Sequence, residues 1–210
     1  CAISSDVPES IIDSTMPISL LPLGGDVSLP VGLEALPKPN KGDLFLDYEG
    51  HPFWKVEEGL IFLFGLLYKD GLKWKYEGWW AHSKGDEQLQ AAALVNWITD
   101  RRDKYPKMHV YHYNHTERST LASLVSTNQN NVGIQQLFDA LKEENVFVDL
   151  FQIVKQTLQV GVESYGLKKI EKVAGYLRPT DDSVSGGSDA VAAYEGWMRA
   201  GDKSLADQLL

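Results

Sequence analysis

Cysteine is nearly absent. The single Cys1 among 210 residues excludes an internal disulfide framework and a thiolate metal cluster within this chain. Long apolar runs are missing as well: the longest, Leu60–Leu67, is strand-sized, far short of the ~20 residues that span a bilayer. No basic-then-apolar leader opens the chain, which starts at Cys1 without Met and reads as a piece of a longer protein. A reducing cytoplasm is the expected compartment, and no membrane partner is expected. Positive charge is scarce, with 20 Lys and Arg against 29 Asp and Glu for a formal charge of −9. Proteins that grip nucleic acid through its phosphates are usually basic, so strong independent binding of that kind is disfavoured. Nuclease chemistry stays open, because carboxylates can gather around metal ions while other domains hold the substrate.

What is present fits one α/β domain with a short extension, since 43% hydrophobic content is enough to bury a core. Residues 1–41 form an extended lead-in: six of the nine prolines fall in this opening segment, and Pro30, Pro37 and Pro39 exclude a long helix or central strand. From Gly42 the pattern changes. Asp43–Glu49, Leu60–Tyr68 and Leu72–Trp80 read as three strands, the last two joined by a turn at Lys69-Asp70-Gly71. A helix is expected over Asp86–Arg102, with Leu89, Ala93 and Trp97 at helical spacing and Pro106 closing it. Met108–Tyr113 reads as a fourth strand. Helices then follow over Thr116–Val125, Ile134–Glu143, Val148–Gln156 and Leu167–Leu177. Residues 179–188 read as a flexible loop, with Ser188 capping a helix over Asp189–Arg199 that Gly201 stops; a further element starts at Leu205. A crossover helix between strands three and four calls for a parallel return beside the first strand.

Asp47 and Glu49 stand two apart on the first strand and so share a face, while Leu44, Leu46 and Tyr48 take the other. Paired carboxylates at the end of a buried strand need neutralising, and the hard cations Mg²⁺ and Mn²⁺ prefer such oxygen ligands. The bland alternative places Glu49 in a turn that Asp47 caps. Glu117 enters a helix just after the fourth strand, where parallel pairing would bring it towards Asp47; alternatively it only favours that helix N-terminus. His51, His112 and His115 are possible ligands or bases. Trp79, Trp80 and Trp97 are possible base-stacking surfaces, with core packing the better reading for Trp97.

The segments Gly42–Phe53, Val110–Glu117, Val148-Asp149-Leu150 and Tyr165–Lys168 together resemble the ribonuclease H-like, DnaQ-type (DEDD) domain of predicted RecB-family nucleases of bacteria. The resemblance runs from about residue 32 to the C-terminus. It implies a central mixed sheet, an antiparallel meander continued by parallel strands and flanked by helices, and a two-metal 3′–5′ exonuclease using Mg²⁺ or Mn²⁺ on DNA or RNA. It implies Asp47 and Glu49 as the first motif, Glu117 in the place of the second-motif Asp, and Asp149 as a supporting site residue. Asp47, Glu49 and Glu117 are then the metal ligands. His112 and Lys168 become candidate substrate contacts, each with a structural role as its alternative. Implied partners are nucleic acid and, in the same polypeptide, a RecB-like nuclease domain and a helicase. Two departures stand out: His51 sits where the family often has an acid, and the final motif, an aromatic residue or His with Asp four residues later, is not seen before Leu210. The domain over 42–210 is therefore expected to be cut before its last helix. The rival reading is a noncatalytic module that positions nucleic acid for an attached nuclease or helicase.

Overall fold

A computed structural model describes residues 18–20, 30–55, 59–128, 132–176 and 186–209. In chain order it contains β1 (Ile18–Leu20), a 3-10 turn (Gly32–Ala35), β2 (Leu44–His51), β3 (Leu60–Asp70), β4 (Lys73–Trp80) and α1 (Lys84–Lys104). There follow β5 (Val110–His112), α2 (Thr116–Ser126), α3 (Val132–Glu143), β6 (Phe147–Asp149), α4 (Leu150–Thr157), β7 (Leu158–Val160), α5 (Leu167–Val173), α6 (Gly187–Ala200) and α7 (Lys203–Asp207). Five strands form one sheet in the order β4-β3-β2-β5-β6. The meander β2-β3-β4 is antiparallel, and β5 and β6 extend it in parallel. This is the mixed sheet flanked by helices that the sequence leads one to expect. Separately, β1 pairs antiparallel with β7, and the 3-10 turn packs on α4. Of the proline-rich lead-in, residues 1–17 and 21–29 lie outside the described residues, as do residues 179–185 of the expected loop.

Four expectations change. The segment expected to start a helix at Val148 instead opens with β6, which runs beside β5, and only then turns into α4. The strand is too short to show any alternation, and Asp149 ends it by capping α4, its carboxylate accepting from the amides of Phe151 and Gln152. In α1 the buried row is Ala91, Leu94, Val95 and Ile98, rather than the row through Leu89, which stays 65% exposed. Trp97 packs at the margin of that row, against Tyr68 and Trp79. Helix α5 stops four residues early, because Gly175 adopts φ +77° and Tyr176 N–H returns to the Glu171 carbonyl, which ends the helical ladder. Finally, α6 begins at Gly187, so Ser188 lies inside its first turn and provides no cap, while Gly201 at φ +69° does end the helix.

Two clusters of apolar residues sit on opposite faces of the sheet. The larger holds Leu44, Leu46, Phe64, Leu66 and Val110 against α1, α2 and α3. The smaller holds Leu60, Phe62 and Leu63 against Ala190 and Tyr194 of α6. A bulge interrupts the pairing of β2 with β3 between Glu49 and Gly50: Glu49 pairs with Leu63 but Gly50 with Ile61, so Phe62 is the extra residue. Phe62 and Leu63 are consecutive and still join the same cluster. Glu87, buried in the first turn of α1, accepts from the Ile61 amide at 2.7 Å and is ion-paired with Lys84, so its charge is compensated.

The turn from β5 to α2 is built around Asn114, whose φ of +91° is uncommon for a residue with a side chain. Three ties hold it: its amide donates to Asp149 Oδ1 at 3.1 Å, its side-chain oxygen accepts from the His115 amide at 2.8 Å, and its carbonyl accepts from His112 Nδ1. This turn sets where α2 begins, and hence where Glu117 stands. Asn114→Ala should cost about 1–3 kcal/mol through the left-handed backbone and the lost side-chain bonds. Asn114→Gly should cost less, since glycine accepts that φ freely. Urea unfolding of both variants checks this, and equal losses would show that backbone conformation is not what Asn114 provides.

Candidate active site

β2 carries Phe45, Asp47 and Glu49 on one face, with Leu44 and Leu46 turned into the larger core. Asp47 is exposed at the mouth of a cleft of about 440 Å³, whose walls include Glu49, Ser164, Lys168 and Gly186. Burial first, and then the neighbouring Asp47 charge, push the Glu49 carboxyl up to about 7, against the opposing pull of Lys168. Lys168, in the first turn of α5, reaches across to Gly186, where an added Cβ would lie 2.5 Å from its ammonium.

Parallel pairing of β2 with β5 places Leu44 opposite Val110 and Phe45 opposite Tyr111, so the chain leaving β5 turns into α2 beside the end of β2. Glu117 in the first turn of α2 arrives there. Burial raises its carboxyl to about 7, the Asp47 and Asp149 charges adding to the effect and a backbone hydrogen bond opposing it. The charges of Asp47 and Asp149, from two other segments, are thus both felt at Glu117. Asp149 has a structural task as well, since its Oδ1 also ties the Asn114 turn.

The histidines are placed otherwise. His112 is buried, its Nδ1 donating to the Asn114 carbonyl, and burial lowers its pKa, so it stays neutral. It faces the interior as a strut for the turn, a poor position for the substrate contact that the sequence resemblance implies. In His51 the Phe53 amide donates to Nδ1 at 3.2 Å, so the ring proton sits on Nε2 and is donated to Glu195 at 2.9 Å. Both nitrogens are engaged, which leaves no lone pair for a metal. His115 Nδ1 bonds to the Asn114 side chain at 2.7 Å.

Two neighbours of the carboxylates escape sequence reasoning. Tyr76 of β4 leans over Gly65 of β3, where an added Cβ would sit 2.3 Å from its hydroxyl; Gly65 is the register partner of Asp47. Burial and the charges of Asp47 and Glu49 raise the Tyr76 pKa, keeping a neutral hydroxyl beside the pair. Tyr48, on the opposite face, has a buried hydroxyl whose pKa burial, Glu117 and Asp47 raise. Alternation alone puts Trp74 and Tyr76 on one face of β4, but which face meets the carboxylates depends on the register of two hairpins.

A divalent cation fits these donors chemically. All are hard oxygens, and Glu117 Oε2 is buried with no hydrogen-bond partner among the described residues; its nearest cation-capable neighbour, His112 Nδ1, lies 3.8 Å away. Among the described residues, however, no three His, Cys, Asp or Glu side chains are grouped at metal-ligand spacing. The site thus offers donor chemistry without a closed ligand shell.

Nothing among curated proteins or solved structures matches the chain. A family model for the RNase H superfamily does match, over residues 44–210, which takes in every strand of the five-stranded sheet and all four carboxylates. With its sheet order, its crossover through α1 and that match, the chain belongs to the RNase H superfamily.

Proposed function

We propose that this domain is a metal-dependent nuclease that hydrolyses phosphodiester bonds of DNA or RNA, in the manner of DnaQ-type 3′–5′ exonucleases. The observation that carries the reading is the shared face of Asp47 and Glu49, which line one cleft together with Lys168. Burial raises the Glu49 carboxyl there to about 7, and a carboxyl perturbed within a cleft points to a working site. Asp47, Glu49 and Glu117 would hold Mg²⁺ or Mn²⁺, with Asp149 in support. Bound divalent cations supply charge neutralisation at the scissile phosphate and a more acidic water for the attack. Lys168, on the opposite wall, attracts a phosphate oxygen. Tyr76 presents a neutral O–H that donates without adding negative charge. Gly65, in the Asp47 row, leaves the room that the Tyr76 hydroxyl occupies beside the pair. In hydrolysis water adds across the P–O bond, leaving a phosphate monoester and a free hydroxyl. A RecB-like nuclease domain and a helicase in the same polypeptide complete the reading.

A second reading, a noncatalytic module that positions nucleic acid, draws on the absence of a closed ligand group among the described residues and on the charge of −9. Degradation of end-labelled strands in Mn²⁺ separates the two. Asp47→Ala should lower the rate by at least about 100-fold, since loss even of groups that only orient metal ligands costs 10–100-fold. Activity that survives this change would point away from the cleft.

The raised carboxyls also predict stability. In the unfolded chain Glu49 and Glu117 ionise near 4.5, while in the fold they do so at about 7. Between these values the unfolded state gives up its protons first, so metal-free protein should lose stability as pH rises from about 4.5 to about 7. Below that window the penalty is absent. Glu117→Gln should flatten the fall and raise the metal-free Tm at pH 8 by a few degrees. Added Mn²⁺ should stabilise the wild type more than this variant. An equal Mn²⁺ response in both would remove Glu117 from the ligand set.

A further inference from the structure

The sheet face that bears the carboxylates is only partly covered. Register across β2, β3 and β4 sorts it into rows: Glu49 with Leu63 and Trp80, Asp47 with Gly65 and Gly78, Phe45 with Leu67 and Tyr76, and then Lys69 with Trp74. Helix α6 packs on the first of these rows through Ala190 and Tyr194. Beyond the glycine row the rings lie open, with Trp74 51% and Tyr76 39% exposed. Phe45 is stacked on Tyr111 at 5.4 Å and tilted against Trp74 at 6.0 Å, so the Trp74 ring is held in place. Lys69 Nζ stands 5.3 Å from the centre of the Trp74 ring.

We propose that this open row is a stacking platform for unpaired bases, so that the ligand of this face is a single-stranded nucleic acid whose backbone runs on into the carboxylate cleft. The inference rests on the nuclease reading and adds the substrate class. Three observations select this occupant. The platform is continuous with the cleft, because Tyr76 reaches from the aromatic row over Gly65 into the row of Asp47. Cations flank it, Lys69 over the Trp74 ring and Lys168 on the cleft wall, placed to meet phosphates on a chain that is otherwise acidic. The spacing also discriminates between strands and duplexes. Trp74 and Tyr76 are two residues apart on one strand, about 7 Å, whereas neighbouring bases of a duplex strand rise only ~3.4 Å. Rings so placed suit bases that have been pulled out of a stack. Stacking on aromatic side chains tolerates any base, which suits an enzyme that degrades without regard to sequence.

The test is fluorescence anisotropy of a labelled fifteen-nucleotide oligo-dT with the whole chain in EDTA, where metal-dependent cleavage is off. Trp74→Ala should weaken binding by roughly 5- to 100-fold, the equivalent of one stacked base. Trp74→Phe should restore most of the affinity. Leu72→Ala, on the exposed hairpin tip, should leave it within about twofold, as expected of a surface position without partners. A duplex of the same length should bind more weakly and respond to none of these changes. No measurable binding by the wild type, equal affinity of wild type and Trp74→Ala, or the same loss on duplex would each overturn the proposal. So would sedimentation showing a dimer that Trp74→Ala dissociates, since the face would then hold a second copy. Mn²⁺-dependent cleavage of the same strand reads the nuclease assignment separately. Cleavage without a Trp74 effect removes the platform alone, while a Trp74 effect without cleavage removes the nuclease alone.

Discussion

β2 is hydrogen-bonded on both edges, antiparallel to β3 and parallel to β5, and this double pairing sets every other position in the site. A strand fixed on both sides cannot slip by one residue without turning all its side chains over. Leu44 and Leu46, fully committed to the larger core, therefore lock Asp47 and Glu49 onto the opposite face. The parallel partner has a second effect. A parallel return demands a crossover, here α1, and it delivers the chain after β5 to the same end of the sheet as the carboxylates. Glu117 is brought to that end of the sheet by this geometry, and the Asn114 turn sets where its helix begins.

Charge in the site is balanced by few means. At Glu49 burial, with the Asp47 charge behind it, outweighs the help from Lys168 and raises the carboxyl to about 7. Elsewhere the fold handles buried charge differently. Glu87 is wholly buried, yet it has a backbone donor and a lysine against it. By contrast, Glu117 Oε2 has no hydrogen-bond partner among the described residues, an asymmetry that a bound cation would relieve.

The sequence made much of this legible. The three-strand meander, the crossover helix and the shared face of Asp47 and Glu49 follow from alternation and turn chemistry, and the strands form close to where those signals put them. What stayed hidden was set by tertiary contact. β6 spans only Phe147–Asp149, too short for any period to register, and its pairing with β5 decides that it is a strand. The phase of α1 is not legible, because Leu89 is as apolar as Leu94 and only the sheet beneath chooses between them. Tyr76 reached the site through the registers of two hairpins, one of them closed by the loop around Pro52 that carries no simple turn signature. His51 and Glu195 stand 144 residues apart, and their bond has no local trace.

β3 has a divided allegiance: one of its faces is sealed by three helices, the other chiefly by α6 and a handful of apolar contacts. Cores of such unequal size open with unequal ease, so the α6 amides should exchange sooner than those of the three helices on the larger core. Gly186 and Gly187, at the start of α6, line the cleft together with Asp47, so that difference in local stability reaches the rim of the site.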